Sequence, residues 1–209
     1  DRTSRGLGDV YKRQIYSIEK FIVARRLMYW QVYLHRTVLS AEHMLMLVLN
    51  RAKHLARQGV AVFASPALSL FLHDDLDRAK FLADPDVLER FCELDDSDIF
   101  VAMKSWRHHE DRVLALLSQR LLDRGLFRIE LRPEPFTEAD VAERVQATAD
   151  ALGFTLEEAS FLVSNARIDN KAYVPKGIHV LYKNGSVRDF AEANDHLHMQ
   201  MLSRPVEKS

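Results

Sequence analysis

The sequence predicts a mainly α fold with a small α+β lobe at its C-terminal end. Three observations predict it. No Gly or Pro interrupts the chain between Ile15 and Gln58, so one long helical stretch is open to it. From Pro66 to Gly125, short apolar segments alternate with Ser and Asp residues of the kind that cap helices. After Gly125 the texture changes to alternation and turn residues, with Asn184-Gly185 between two strand-like runs. The division read from this is a helical part, 15–125, and an α+β lobe, 126–209.

The elements follow in order. The first helix is capped at Ser17 and is expected to bend near Thr37–Ser40, where β-branched residues meet a second possible cap, Ser40. Gly59 closes it. Pro66 starts a short helix through Phe71. A third segment, Leu76–Leu82, ends near Asp84-Pro85, where Pro85 suits the first helical position and Asp84 the cap. Asp95–Asp98 precede a helix at Ile99–Trp106. The next, Glu110–Arg124, stops at Gly125, read as its left-handed C-terminal residue. Leu126–Leu131 alternates as a strand. Pro133 and Pro135 bracket a loop, and Thr137-Glu138-Ala139-Asp140 caps a helix that runs to Leu152 before Gly153. Phe161–Ala166 reads as a strand. Ile178–Tyr182 and Val187–Phe190 read as the arms of a hairpin.

Composition narrows the function. The 209 residues are 47% hydrophobic and 28% charged, with a net charge of -1, which is enough apolar material for a real core. No apolar run reaches the roughly 18 residues that a spanning helix needs, so no membrane partner is expected. The charge balance disfavours nucleic acid as a partner. Residues 1–14 (DRTSRGLGDVYKRQ) read as a non-native tail. Gly8–Gln14 resembles a translated sequencing adapter of the kind found at broken metagenomic reading frames. Of the 29 Lys and Arg, four lie in that tail, and of the 30 Asp and Glu, two; without them the net charge is -3. A single cysteine, Cys92, builds neither a disulfide nor a Cys-based zinc site, and a reducing cytoplasm is the expected setting. The C-terminus reads as cut within a last strand.

The chemistry-bearing stretch is Arg25 to Arg36. On a helix Arg25, Tyr29 and Tyr33 lie four apart and share a face. Phe21, Ala24, Met28 and Val32 form a second apolar stripe beside it, so the helix is expected to be buried with Arg25 in a covered wall. A covered guanidinium needs an anion. One partner would be a phosphate, with the tyrosines taking a base or sugar. The other is an internal carboxylate, with the tyrosines as plain core. His73-Asp74-Asp75 and His108-His109-Glu110-Asp111 look like metal ligands, but neighbours on one helix point about 100° apart and both read better as helix-end charges. His196 and His198 could share a strand face, without a third ligand. No phosphate-binding glycine loop and no Gly-x-Ser-x-Gly elbow is present. Asp95–Asp98 lacks the glycine and the final glutamate of a calcium loop.

The stretch from Tyr16 through Arg36 resembles the bacterial HD-superfamily phosphohydrolases, relatives of the SAM-and-HD-domain dNTP triphosphohydrolases. Leu94–Ile99, Arg124–Arg128 and the Tyr182–Gly185 turn resemble the same group, and the likeness extends over 15–209. It implies hydrolysis of a (deoxy)nucleoside triphosphate or a related phosphoester by a divalent metal. In the family that metal is held by a His…His-Asp…Asp set on helices preceding this segment, so the resemblance implies a fragment with no catalytic or metal ligands and no activity by itself. It assigns Arg25 to substrate phosphates and Tyr33 to the sugar and base. Tyr29 stands where the relatives carry a histidine near the base, which puts base preference in doubt. His35 and Arg36 match a His-Lys pair that serves nucleotide contacts at subunit interfaces. It further implies a homo-oligomer. The rival reading is a non-catalytic helical interaction or oligomerisation module.

Overall fold

The computed structural model describes residues 16–166, 168–170, 178–182, 184–189 and 206–208. The adapter-like tail 1–14, Phe190, and the His196/His198 pair lie outside them. Helix α1 covers 16–28 and runs into a π-helical turn at Tyr29–Tyr33. Then come α2 (Arg36–Arg57), α3 (Pro66–His73), α4 (Arg78–Ala83), α5 (Pro85–Glu93), α6 (Asp96–Trp106), α7 (Arg112–Leu122), α8 (Glu138–Leu152) and α9 (Leu156–Ser160). The strands are β1 (Ile168–Asn170), β2 (His179–Leu181), β3 (Val187–Asp189) and β4 (Val206–Lys208). The mainly α class with a little β structure is what the structure shows.

The chain forms two compact units. One contains 39–130 and 136–165; the other contains the N-terminal residues to 38, 131–135 and 166–209. The larger unit runs across residue 125, and its core shows what joins the two sides. In the larger unit α2 buries Val48, Ala52, Leu55 and Ala56, an i, i+4, i+7, i+8 stripe. Against it pack Leu68 and Leu72 of α3, Met103 and Trp106 of α6, and Leu114 and Leu117 of α7. Phe154 and Phe161, flanking α9, close on the same core, so α8 and α9 belong with the helices before them. Trp106 is fully buried, and its indole N–H donates to Phe63 O at 2.8 Å, so burial leaves no polar atom of the ring unsatisfied.

Capping chemistry accounts for most helix starts. Asp84 accepts from Asp86 N–H ahead of Pro85, as expected. Asp95 and Asp98 exchange bonds in a capping box at α6, as do Thr137 and Asp140 at α8. Four caps were not foreseen: Ser65 starts α3, Asp77 α4, Asp111 α7 and Thr155 α9. Gly153 ends α8 in the left-handed region, φ 64°. Gly125 does not do this at α7. There Arg124 takes the left-handed conformation (φ 56°), Gly125 N–H donates to Arg120 O at 2.8 Å and Arg124 N–H to Leu121 O. That is a Schellman closure in which the glycine is the residue after the left-handed one.

Four other expectations are corrected. The helical break falls at Leu34–His35 rather than Thr37–Ser40. Ser40 is no cap; it is buried inside α2 and donates to Phe127 O at 2.7 Å. Leu126–Leu131 is not a strand. Phe127 N–H is spent on Met44 Sδ and its carbonyl on Ser40, so α2 side chains take the backbone groups that a neighbouring strand would have used. Phe161–Ala166 is not a strand either. The Thr155–Glu158 capping box starts a short helix, and Phe161 and Leu162 N–H groups still close back onto it.

The Asn-Gly hairpin is present. His179–Leu181 pairs antiparallel with Val187–Asp189, Val180 opposite Arg188. Tyr182 N–H donates to Ser186 O, Gly185 N–H to Tyr182 O, and Gly185 sits at φ 79°. This is a hairpin loop with a glycine bulge. Asn184 Oδ1 accepts from both Ser186 N–H and Oγ–H. β1 and β4 make a second antiparallel pair, Asp169 opposite Glu207.

Candidate functional site

Arg25 rises from α1, and Tyr29 and Tyr33 open and close the π turn. In a regular α-helix residues four apart are offset by about 40°. The π turn is wider: Leu34 N–H reaches back five residues to Tyr29 O at 2.7 Å. That widening lessens the offset between the two tyrosines. Their ring centroids lie 5.0 Å apart at 44°, within the range of favourable aromatic pairs. The Arg25 guanidinium carbon stands over the Tyr29 ring, 5.3 Å from its centroid, in cation–π range. The three side chains therefore form one ladder of cation, ring and ring. The structure brings together the residues that sequence spacing had placed on one face.

The covered wall expected around Arg25 is not there. Ile22 is buried, but Arg25 is exposed, and Phe21 and Val32 are 67% and 53% exposed. The helix has apolar residues on most of its circumference and buries only one side of it. Among the described residues no carboxylate pairs with Arg25; its interaction is with the Tyr29 ring. Among the described residues nothing occupies the hydrogen-bonding edges of the guanidinium.

His35 and Arg36 follow the turn but do not join the ladder. His35 Nδ1 accepts Thr37 N–H at 3.3 Å, which places the proton of the neutral ring on Nε2. Arg36 is exposed at the start of α2, where a cation gains nothing from the helix dipole.

The metal-like clusters have structural employment. His73 Nδ1 lies 2.9 Å from Ser69 O one turn back. Asp75 bridges Arg57 and Lys53, 3.2 Å from the latter, and these two cations hold its carboxyl below the usual range, Arg57 most. His109 Nδ1 accepts Asp111 N–H at 2.9 Å, and its Nε2 meets Ala61 O at 3.1 Å. Among the described residues no three His, Cys, Asp or Glu side chains converge on a point that could hold an ion. The described residues thus do not fit the divalent metal that the resemblance implies.

One site escaped the sequence reading. Arg51 occupies a place in the buried stripe of α2 and grips Asp111 with two bonds, Nε to Oδ1 at 3.1 Å and Nη2 to Oδ2 at 2.7 Å. Both side chains are nearly covered, 8% and 14% exposed. Phe161 caps the guanidinium at 4.6 Å, and Asp111 also accepts Leu114 N–H at the start of α7. The available signal was a basic residue three after Val48 in an otherwise apolar stripe.

No protein-family model matches the chain. It is 27% identical over 186 residues to YwfO, an uncharacterized protein of Bacillus subtilis; the match takes in 85% of this chain and 40% of YwfO. Among solved structures it is similar to a phosphohydrolase from Bacteroides thetaiotaomicron, at 46% identity and a TM-score of 0.83 over 94% of this chain and 49% of the other. The chain spans about half the length of the relatives it matches. The described helices and short strands thus carry a phosphohydrolase fold.

Proposed function

We propose that the chain is part of an HD-type, metal-dependent phosphohydrolase acting on (deoxy)nucleoside triphosphates or a related phosphoester, with Arg25, Tyr29 and Tyr33 as its nucleotide-binding face. The observation that carries this reading is the ladder itself. An exposed guanidinium stacked on one ring, with a second ring beyond it and no described carboxylate partner, offers a fork for phosphate and aromatic surface for a base or sugar. The rival reading, a non-catalytic helical module, required an internal carboxylate on Arg25. The similarity to a phosphohydrolase supports phosphoester chemistry.

Arg25 would neutralise charge on the polyphosphate and fix its direction along the ladder. Tyr29 and Tyr33 would hold the nucleoside by stacking and hydroxyl contacts. A divalent metal would supply an activated water, and residues other than those described would hold it. His35 and Arg36 are carried as a further nucleotide contact, at an interface between copies of the protein.

The test is equilibrium binding of a panel of nucleoside and deoxynucleoside triphosphates to the chain and to Arg25→Ala and Tyr33→Ala. Losing a charge-assisted hydrogen bond should weaken binding about 10- to 100-fold in Arg25→Ala. Unchanged affinity in both variants sinks the assignment.

A further inference from the structure

Within the larger unit, the loop from α2 to α3 (59–65) lies over the core and is tied down from the far side of it. Val62 and Ala64 pack against the core, while Phe63 between them is exposed. Two side chains hold the loop's carbonyls. Trp106 Nε1–H donates to Phe63 O at 2.8 Å, and His109, in the turn between α6 and α7, reaches Ala61 O through Nε2 at 3.1 Å. An indole keeps its proton at any ordinary pH. An imidazole is the side chain whose charge ordinarily changes between about pH 5 and pH 8.

His109 is the middle of a bridge. Asp111 N–H donates to its Nδ1 at 2.9 Å, so Nδ1 carries a lone pair and the proton of the neutral ring sits on Nε2, aimed at Ala61 O. That tautomer satisfies both ends. A second proton has only Nδ1 to go to, where it meets Asp111 N–H as donor against donor. The charges nearby do not repair this. The loop, Gly-Val-Ala-Val-Phe-Ala-Ser, brings none, and Asp98 faces it at the far end, at Ser65. Beside the ring stands the Asp111 carboxylate; against desolvation, Arg51 of α2 and Leu114 N–H keep it ionised below the ordinary range. Asp111 draws an imidazolium and Arg51 opposes it, and neither gives Asp111 N–H a new acceptor. Arg112 of α7 is turned to Leu152 O and Gly153 O, Glu158 of α9 to Thr155, and His54 of α2 to Gln58. His108 and Glu110, the chain neighbours, are exposed.

We infer that His109 is a pH-dependent latch on the 59–65 loop: its neutral form ties Ala61 to the start of α7, and protonation of Nδ1 turns the ring off that bridge and frees the loop at Ala61. Trp106 keeps its hold on Phe63, so the release is confined to the stretch that follows Gly59. The latch uses none of the ladder residues and stands or falls independently of the nucleotide reading.

The experiment is nuclear magnetic resonance on the full chain, labelled with nitrogen-15 and titrated from about pH 8 to about pH 5. At the upper end the His109 ring should show a protonated Nε2 and a bare Nδ1. The Val62 amide nitrogen shares a peptide group with Ala61 O and reports the bond made there. The Asp111 amide proton reports the bond to Nδ1. Both are expected to shift on acidification with the midpoint of the His109 ring itself. His109→Gln keeps a side-chain donor for Ala61 O and does not titrate, so both signals should lose their pH dependence over this range. His108→Gln should leave both titrations as they are in wild type. If His109→Gln does not fold, wild type and His108→Gln decide between them. A ring that carries its proton on Nδ1 at the upper end, a Val62 nitrogen that stays still while His109 titrates, or shifts that follow His108 instead overturn the inference. Lost nucleotide binding beside an intact latch would sink only the ladder.

Discussion

Removing the carboxylate of Asp111 should be among the most damaging single changes in the larger unit. Arg51 is 7% exposed, and both Asp111 oxygens serve it. Asp111→Ala leaves a buried cation without an anion, which costs about 3–5 kcal/mol. It also removes the side-chain acceptor for Leu114 N–H at the start of α7, worth about 1 kcal/mol. The sum, about 4–6 kcal/mol, is a large fraction of a typical domain stability. Replacing both partners tests the cause. Arg51→Met/Asp111→Ala removes the orphaned charge and keeps a stem against Phe161, so it should be less destabilised than Asp111→Ala alone, by about 2 kcal/mol. Urea unfolding followed by far-UV circular dichroism measures both. A loss under about 1 kcal/mol in Asp111→Ala, or a double variant that loses the sum of the singles, would refute the claim that burial makes this pair costly to break.

Two further predictions follow from the same unit. Desolvation pushes the Asp111 carboxyl up, but the Arg51 bonds and the Leu114 N–H outweigh it and hold it below the ordinary value of about 3.9. A carboxyl lowered in the folded state adds stability that is complete above its unfolded pKa and is lost as pH falls through the folded one. The urea midpoint should therefore drop as pH falls below about 5 and on through the lowered folded-state pKa, less steeply in Asp111→Asn; equal slopes would remove Asp111 from the account. Gly153 takes φ 64° with open space around it, so Gly153→Ala should cost about 1 kcal/mol from backbone strain alone and Gly153→Asn less; thermal denaturation gives the ranking.

Caps and turns were the legible part of the sequence because their causes are local. Asp84-Pro85, Thr137–Asp140 and Asn184-Gly185 each carry their own hydrogen-bonding instructions, and each folds accordingly. The two strands read at Leu126–Leu131 and Phe161–Ala166 failed because alternation says nothing about whether a partner edge exists. Phe127 found side chains of α2 instead. Arg25, Tyr29 and Tyr33 were legible as a face, since helical spacing is periodic, but their exposure was not. How much of α1 is covered depends on what packs on it, which no periodicity encodes. The Arg51–Asp111 pair joins residues 60 apart in sequence, and only tertiary folding brings them together.

The π turn also has a meaning for register. A helix that closes five residues back carries one residue more than its α-helical turns require. Losing that residue would let Tyr29–Tyr33 relax to ordinary α geometry and would rotate everything before it by about 100°. Ile22 would leave its buried side, and Arg25 and Tyr29 would swing together off Tyr33, although every residue type around them was unchanged. The phase of α1 is thus set by a count of residues. Along this segment the spacing of the chain constrains the face it presents as strictly as the identity of any side chain on it.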